Sequence, residues 1–302
     1  MFTGKTVGLA EFDARFGLRV RQDGRFSYVG KLPTRLGGRL VPCTTTAHVT
    51  VACEDESIAG LVTTPELSAS VKTGKALAEA ANPMWAIQQL HVELSNRDGF
   101  YWESFESRID PTANVHPTAF VEDYDVVIGP GSSIGPFSYI GKRSLIGVNC
   151  KIGPHCAIGW ESFELSANKD EPAVLPHVGG VQIEDHVEIL SHCAVARCAF
   201  GGFTRIRRYA KLDSHILVAH DADIGERVRI AAGVTVCGRV EVGNQAYLAP
   251  GSVISNGVEV GERAEVSIGA VVTRRVAPGQ KVSGNFALPH TRWMKMIANA
   301  AR

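Results

Sequence analysis

The stretch that decides the fold is IGPGSSIGPFSYIGKRSLIGVNCKIGPHCAIG, residues 128–159. In it an isoleucine followed by glycine recurs at every sixth position, and a serine or cysteine stands four positions after each isoleucine up to residue 152. Aliphatic residues continue this spacing on both sides, at Ile109, Val115, Val121, Ile183, Ile189, Val195, Ile206, Leu212, Val218, Ile224, Ile230, Val236, Val242, Leu248, Ile254, Val260, Val266 and Val272. A period of six fits no helix of 3.6 residues per turn. It predicts short strands stacked as coils of a β-solenoid, because one strand alone cannot bury its apolar side.

The repeat also divides the chain. Residues 1–107 lack it and are expected to form a separate α/β domain, with strands near 48–53 and 58–64 and a helix over 72–94 that is interrupted near Pro83. The solenoid is expected to span residues 108–284, and residues 163–180 break its period, which predicts a loop that leaves the stack. Residues 285–302 are expected to form a C-terminal helical extension.

Composition excludes several classes of function. Lys plus Arg and Asp plus Glu are both 31, so the net charge is zero, whereas nucleic-acid-binding proteins usually carry a basic excess. No apolar run approaches the roughly 20 residues of a membrane-spanning helix, and the first residues lack a long apolar export region. Seven cysteines without a CxxC pair favour a reducing compartment. We therefore expect a cytoplasmic protein with no nucleic acid partner and no membrane span.

One histidine segment stands out within the repeat. His220 lies two residues after the anchor Val218, so it is expected on the outer side of a coil rather than in the lumen. The surrounding stretch LDSHILVAHDADIG, residues 212–225, resembles the catalytic histidine segment of the sugar-nucleotide acyltransferases of the lipid A pathway. The interrupting loop ends in LPHVGGVQIEDHVEI, residues 175–189, which resembles the UDP-3-O-acylglucosamine N-acyltransferase family in particular. The N-terminal domain and the C-terminal helix fit that family too. The chain is thus identified as a divergent hexapeptide-repeat acyltransferase, and the resemblance implies a left-handed parallel β-helix.

The resemblance also implies a reaction. An acyl group would pass from a thioester of coenzyme A or acyl carrier protein to the amine of a nucleotide-linked amino sugar. His220 is expected to be the general base, because neutral imidazole can remove the proton of the attacking amine. The backbone N–H of Gly238, 18 residues after His220, is expected to stabilise the oxyanion. The thioester is a co-substrate, so we expect no permanently bound cofactor and no metal. The family further implies a homotrimer.

Four residues are expected to contact the substrate. Tyr28, in RFSYVGKLP, matches one of two aromatic residues that hold the nucleotide base in the family, while the position of the second falls near Thr34. The family carries a second histidine two coils beyond the base, but the matching position here is Gly257, so Asn256, 36 residues after His220, is expected to supply a hydrogen bond instead. His177 and Asp213 belong to the two segments that resemble the family.

The end of the solenoid suggests how the acyl donor binds. The stretch VVTRRVAPGQKVSGNFA, residues 271–287, resembles the closing segment of coenzyme A-dependent hexapeptide acetyltransferases. This resemblance implies that Arg274, Arg275 and Lys281 contact the phosphates of the donor. A solvated basic cap on the last coil is the alternative.

Two other functions stay open. The same chemistry could use a hydroxyl acceptor, which would make the protein an O-acyltransferase. A non-catalytic solenoid is the rival from a different class: a structural trimer, or a metal protein like the γ-carbonic anhydrases, which needs histidines that converge between neighbouring chains.

Overall fold

The computed structural model describes residues 1–32, 36–69, 71–167, 172–284 and 289–300. From Arg108 onward the chain is a left-handed parallel β-helix built from three sheets. Sheet 1 contains Phe120–Val121, Tyr139–Ile140, Ala157–Trp160, Ala194–Ala196, Leu217–Val218, Thr235–Val236, Val253–Ile254 and Val271–Val272. Sheet 2 contains Arg108–Ile109, Val126–Ile128, Ser144–Ile146, Gly180–Ile183, Phe203–Ile206, Asp223–Ile224, Glu241–Val242 and Glu259–Val260. Sheet 3 contains Asn114–Val115, Ser133–Ile134, Lys151–Ile152, Glu188–Ile189, Lys211–Leu212, Arg229–Ile230, Tyr247–Leu248, Glu265–Val266 and Lys281–Val282.

Every strand pairs in parallel with the strand one coil away. Val218 pairs with Val236, and Val236 pairs with Ile254, so that one coil takes 18 residues. The predicted anchors from Ile128 to Val272 are at most 6% exposed and fill the lumen. Ile109 is 45% exposed, because its strand begins the first coil and only one side of it is covered by the next. The sequence prediction of a six-residue β-solenoid is therefore confirmed.

Small residues fill the corners of the lumen, as the repeat predicts. Cys150, Cys156 and Cys193 are each at most 2% exposed. The buried hydroxyls of Ser132 and Ser138 donate to carbonyl oxygens of their neighbouring coil at 2.8 Å and accept a backbone N–H from the coil above. Each hydroxyl thus satisfies its own hydrogen bonds and one of the backbone, which removes the penalty for a polar group in an apolar lumen.

The N-terminal region forms a five-stranded sheet with helices. Its strand order is Arg19–Gln22, Ala76–Glu79, Ile58–Thr63, Arg39–Cys43 and Tyr28–Val29, and only the first pair is antiparallel. A second, two-stranded sheet pairs Val7–Gly8 with Arg25–Phe26. The helices are Thr46–Glu54, Pro65–Ser68 and Pro83–Ser95, together with a 3₁₀ turn at Leu9–Phe12.

Two predictions in this region were wrong. Residues 48–53 are helical rather than extended, because Thr45 caps the helix Thr46–Glu54 by accepting the backbone N–H of His48 at 3.2 Å. The helix predicted over 72–94 begins only at Pro83, where Asn82 caps it, and residues 76–79 instead form a strand inside the sheet. Pairing on both edges of that strand outweighs the local helical pattern.

The solenoid is interrupted twice. The predicted loop leaves after the strand Ala157–Trp160 and returns at Gly180; we call residues 161–179 the insertion. A second break at residues 197–202, the bulge, follows from the spacing of 11 between Val195 and Ile206, which the sequence prediction treated as continuous. Both segments pack against the N-terminal domain, and Leu175, Val178, Ala199 and Phe200 share one buried core with Tyr28.

The C-terminal helix, His290–Ala300, lies within the predicted extension. Among the described residues, none of the helices has the length and apolar character that crossing a bilayer requires.

The packing of the lumen predicts that a lumen substitution lowers the free energy of unfolding much more than a surface substitution does. Ile206→Ala should lower the free energy of unfolding by about 2–5 kcal/mol, because it removes buried methylene groups and leaves a cavity between coils. Lys151→Ala, on the exposed side of sheet 3, is the matched control and should change it by less than about 0.5 kcal/mol. Urea denaturation at one fixed protein concentration measures both. Equal effects of the two substitutions would contradict this account of the lumen.

Candidate active site

His220 lies at the corner between sheet 1 and sheet 2. It follows the strand Leu217–Val218 and precedes Asp223–Ile224. Backbone hydrogen bonds connect this corner to the equivalent corners of the following coils, and we call this series the corner ladder. Arg239 N–H donates to the carbonyl of His220, and Gly257 N–H donates to the carbonyl of Gly238, each at 2.9 Å. The imidazole lies outside the lumen, as predicted. It is nevertheless only 5% exposed, because the insertion covers it.

The Nδ1 side of the ring is held by a carboxylate. Nδ1–H of His220 donates to Oδ2 of Asp221 at 2.7 Å. Asp221 has a left-handed backbone with φ of +61°, and its N–H donates to the buried Thr204 hydroxyl at 2.9 Å. The thiol of Cys198, in the bulge, donates to Oδ1 of Asp221 at 2.6 Å. Both carboxylate oxygens are thereby engaged, and the imidazole is fixed in one orientation.

The charge of this carboxylate is balanced by its neighbours. Burial alone would raise the pKa of Asp221, but the hydrogen bond and charge of His220, with Arg39 and Cys198, outweigh burial and hold that pKa below its ordinary value. Burial and the Asp221 charge raise the pKa of the Cys198 thiol. Asp221 is therefore ionised and Cys198 is a neutral donor. A carboxylate on Nδ1–H leaves Nε2 of a neutral imidazole free to accept a proton.

A second carboxylate lies on the Nε2 side. Oε2 of Glu164, from the insertion, is 3.4 Å from Nε2 of His220 and 3.3 Å from Nη1 of Arg239. Oε1 of Glu164 forms an ion pair with Lys31 of the N-terminal domain. The Glu164 side chain is 6% exposed. One carboxylate thus connects the insertion, the N-terminal domain and two coils of the solenoid.

Gly238 lies directly beside the imidazole. A Cβ at this position would be 2.7 Å from Nε2 and 2.8 Å from Cε1 of His220, so any larger residue would push the ring away. The Gly238 carbonyl is engaged by the next coil, whereas its N–H donates to no group among the described residues. A backbone N–H without a partner, on a glycine that lies against the imidazole, is a candidate donor for an oxyanion.

His177 contacts His220 from the insertion. The two rings meet edge to face with centroids 5.7 Å apart. Nδ1–H of His177 donates to the carbonyl of Leu175 at 2.9 Å, and Nε2 accepts the backbone N–H of Ser162 at 3.3 Å. Burial lowers the pKa of His177, so it is neutral and its tautomer follows from these partners.

The insertion is anchored on the helix Pro83–Ser95. The buried Gln88 side chain donates to the carbonyl of Leu165 at 3.1 Å and accepts the N–H of Ala167. Nε2–H of His91 donates to the carbonyl of Pro176 at 2.7 Å. These bonds fix both ends of the segment that carries Glu164 and His177.

A cavity of about 110 Å³ opens beside Asp221, between the N-terminal domain and sheet 2. It is lined by the cations Lys31, Arg39, Arg205 and Arg239, the carboxylates Asp221, Asp223 and Glu241, and by Leu36 and residues of the bulge and strand Phe203–Ile206. Arg39 is 6% exposed and donates from Nη2 to the Gly201 carbonyl at 3.0 Å. Its Nε finds no hydrogen-bond partner in the described parts of the chain.

The structure brings together only some of the predicted site residues. Gly238 and His177 both lie against His220, and Asn256 lies exposed on the same corner two coils from His220. Asp213 lies at the corner between sheets 3 and 1, away from His220 within one chain.

Tyr28 is not at an open surface. It is 8% exposed, stacks on Tyr101 with centroids 6.0 Å apart, and packs against Gly201 of the bulge. Its expected contact with a nucleotide base requires a free ring face, which this packing does not offer. Thr34, the position of the second aromatic, lies outside the described residues.

The predicted donor-binding residues lie at the far end of the solenoid. Arg275 pairs with Glu259 at 2.9 Å and Lys281 pairs with Glu265 at 3.0 Å. Arg274 and Arg275 border an open groove on the last coil. Residues 285–287 of the segment that suggested this role lie outside the described residues.

Sequence reasoning assigned no role to Asp221, Glu164, Cys198 or Arg39. Asp221 follows His220 directly, so the His-Asp pair was a usable signal. The other three reach the corner only through folding of the insertion, the bulge and the N-terminal sheet. For the described residues, no group of three or more His, Cys, Asp or Glu side chains is arranged to hold a metal ion.

Comparisons with known proteins agree with the repeat. The family model described as bacterial transferase hexapeptide (six repeats) matches residues 125–159. UDP-3-O-acylglucosamine N-acyltransferase of Anaeromyxobacter dehalogenans strain 2CP-C is 51% identical over 125 residues, which are 41% of this chain and 35% of that protein. UDP-3-O-acylglucosamine N-acyltransferase 3 of Gloeobacter violaceus is 52% identical over 124 residues, 41% of this chain and 36% of that protein.

A solved structure, UDP-N-acetylglucosamine acyltransferase from Campylobacter jejuni, is 22% identical with a TM-score of 0.49, and the match covers 59% of this chain and 72% of that one. The chain is a hexapeptide-repeat protein with a left-handed β-helix. In sequence it resembles the UDP-3-O-acylglucosamine N-acyltransferases, although it spans only about a third of the length of the two named relatives.

The anchoring of the insertion predicts a pH effect. Burial lowers the pKa of His91 to about 4 from 6.5, so between these values the unfolded chain binds a proton that the folded chain excludes. Stability should therefore fall as the pH drops from 7 to 4.5, by roughly 2–3 kcal/mol from this group. His91→Gln keeps a donor for Pro176 but does not titrate. Urea titrations at pH 7 and pH 4.5 measure the free energy of unfolding of the parent and of His91→Gln. The drop between the two pH values should be smaller in His91→Gln, by the roughly 2–3 kcal/mol that His91 contributes. An equally steep fall in both proteins would contradict the assignment.

Proposed function

We propose that the protein is an N-acyltransferase that moves an acyl group from a thioester to the amine of a nucleotide-linked amino sugar. The donor is acyl-coenzyme A or acyl carrier protein, and the product is an acylated sugar for a bacterial surface glycan or lipid, made in the cytoplasm. The observation that carries the proposal is the His220–Asp221 pair with Gly238 directly beside the imidazole. The named relatives, whose matched stretches are about half identical, support the same chemistry.

The geometry suits a general base. Asp221 holds Nδ1–H, so Nε2 of His220 accepts the proton of the attacking amine. The carbonyl oxygen of the thioester becomes an oxyanion in the tetrahedral intermediate, and the Gly238 N–H donates to it. The intermediate then collapses, the C–S bond breaks, and His220 returns its proton to the departing thiolate. The protein needs no covalent intermediate and no permanently bound cofactor for this sequence.

The cavity beside Asp221 is the proposed place for the phosphates of the sugar nucleotide. Arg39 and Arg205 line it, Nε of Arg39 has no hydrogen-bond partner among the described residues, and guanidinium groups bind phosphates in bidentate geometry. His177 and Asn256 remain the proposed substrate contacts on the His220 corner. Arg274, Arg275 and Lys281 remain the proposed contacts to the donor, on the last coil.

The outer face of sheet 1 supports the expected homotrimer. One residue from each of its strands aligns in register into an uncharged row, formed by Phe120, Tyr139, Ala157, Ala194, Leu217, Thr235, Val253 and Val271. The equivalent row of sheet 3 carries mainly lysine, arginine and glutamate. We propose that a second copy covers the sheet 1 face and borders the His220 corner, where Asp213 of another copy can approach the site.

The first test is a substrate screen with a matched variant. Nucleotide-linked amino sugars and their hydroxyl counterparts are offered with short and long acyl thioesters, and products are read by mass spectrometry. His220→Asn should lower turnover by about 10²–10⁴-fold, because general-base catalysis is lost. His215→Asn, an exposed corner histidine that stacks on His192, is the control and should leave turnover nearly unchanged.

A parent protein that acylates none of the acceptors would overturn the proposed function. Near-normal turnover of a folded His220→Asn protein would overturn the assigned base. Stoichiometric zinc in the purified protein would instead favour the metal-binding rival.

Gly238 gives a second test. Gly238→Ala adds a Cβ that overlaps Nε2 of His220, and its backbone φ is not in the left-handed region, so the added strain falls on the imidazole. A displacement of the base by about 1 Å should lower turnover roughly 10²-fold. Gly74→Ala is the control, because its Cβ would meet no atom within 4 Å. If both variants keep the turnover of the parent, Gly238 does not border the reacting atoms.

A further inference from the structure

Two hydrogen-bond acceptors face each other at the His220 corner. Because Nδ1–H of His220 donates to Asp221, Nε2 has only a lone pair to offer when the ring acts as a base. Oε2 of Glu164, 3.4 Å away, is a carboxylate oxygen and also only accepts. Neither atom can then donate to the other, and Oε2 of Glu164 also accepts from Nη1 of Arg239 at 3.3 Å. A group that donates to both His220 and Glu164 must bring at least two hydrogens on one small atom.

Glu164 is held firmly in this position. Its carboxylate pairs with Lys31 and lies 3.3 Å from Nη1 of Arg239. Its backbone carbonyl accepts the N–H of Leu175 at 2.8 Å, which closes the insertion on itself. Gln88 fixes the next residues of the segment to the N-terminal domain. The carboxylate is therefore a fixed part of the corner rather than the tip of a loose loop.

We propose that Glu164 binds the acceptor amine and selects it over a hydroxyl, a specificity that rests on the proposed acyl transfer. A primary amine has two N–H bonds. One points to Nε2 of His220 and the other donates to Oε2 of Glu164. A hydroxyl has one O–H, which goes to His220 when that residue acts as the base, so a hydroxyl acceptor cannot also donate to Glu164 and lacks the second, charge-assisted hydrogen bond that the amine makes.

The two residues divide the chemistry of the amine. The nitrogen attacks the thioester carbonyl carbon and forms the C–N bond, while one of its protons passes to Nε2 of His220. That proton then goes to the thiolate that leaves when the C–S bond breaks, so the products are an amide and a thiol. Glu164 takes no proton in this sequence and accepts the second N–H while the nitrogen carries positive charge. A hydrogen bond to a charged group is roughly twice as strong as a neutral one.

The kinetic test compares two acceptors that differ in one atom. The best amino sugar nucleotide of the screen and its hydroxyl counterpart are given to the parent and to Glu164→Gln. The substitution should lower kcat/KM for the amine about tenfold or more, and should change kcat/KM for the hydroxyl acceptor less than about threefold. Equal losses on both acceptors would mean that Glu164 only supports the insertion, and would overturn the inference.

The matched control is Glu161→Gln. Glu161 lies in the same insertion, pairs with Arg197 at 2.6 Å and is 40% exposed. It should leave the ratio of amine to hydroxyl kcat/KM unchanged. A ratio that falls as much in Glu161→Gln as in Glu164→Gln would assign the effect to the insertion as a whole and overturn the inference.

A binding measurement makes the inference independent of turnover. Glucosamine and glucose are titrated into protein with ¹⁵N-labelled histidine, and the Nε2 resonance of His220, assigned with His220→Asn, is followed by NMR. Glucosamine should shift it in the parent and not in Glu164→Gln, and glucose should shift it in neither. No shift with glucosamine in the parent, or the same shift in the variant, overturns the inference. A parent that binds glucosamine in this way but acylates no acceptor refutes the proposed function alone.

Discussion

The parallel register between coils is the constraint on which the rest of the structure depends. Each strand must meet the strand 18 residues away, so any segment that leaves the stack has to return in the same register. The insertion and the bulge do so: Ile146 pairs with Ile183, and Ile183 with Ile206, across the two interruptions. Extra chain can therefore only project outward, next to the corner where the coils carry His220. The regular repeat fixes that corner, and the two departures from it supply its surroundings.

The candidate site is consequently assembled from parts that tolerate substitutions to different degrees. The corner ladder places His220, Gly238 and Asn256 through backbone hydrogen bonds that do not depend on side-chain identity. The hydrogen bond from Cys198 to Asp221, which helps to orient the carboxylate that holds His220, forms only while the bulge keeps its backbone conformation. A lumen substitution should act on the solenoid as a whole, whereas a change in the bulge should act on the orientation of one imidazole.

The sequence allowed the solenoid to be predicted almost residue by residue, because its period repeats a local rule in which one aliphatic anchor fills each strand. The same reasoning failed at residues 48–53 and 76–79, where capping and sheet pairing decide between helix and strand. In the candidate site, His220, Gly238 and His177 were predicted from the repeat and the family resemblance. Glu164 and Arg39 were not, since their approach to His220 depends on contacts over 56 or more residues of chain that carry no periodic signal. Tyr28 was matched by its local segment, yet the bulge that buries it is visible only as an irregular spacing.

The N-terminal domain has an electrostatic part in the corner as well as a packing one. Two carboxylates flank His220, and both are matched by cations from that domain: Arg39 acts on Asp221, and Lys31 pairs with Glu164. Without these cations two buried negative charges would lie on either side of one imidazole, and burying an unpaired carboxylate is expensive. The solenoid contributes Arg239, whose Nη1 lies 3.3 Å from Oε2 of Glu164. The charge balance of the corner therefore depends on the docking of the N-terminal domain, which makes that domain part of the candidate site and not only a neighbouring module.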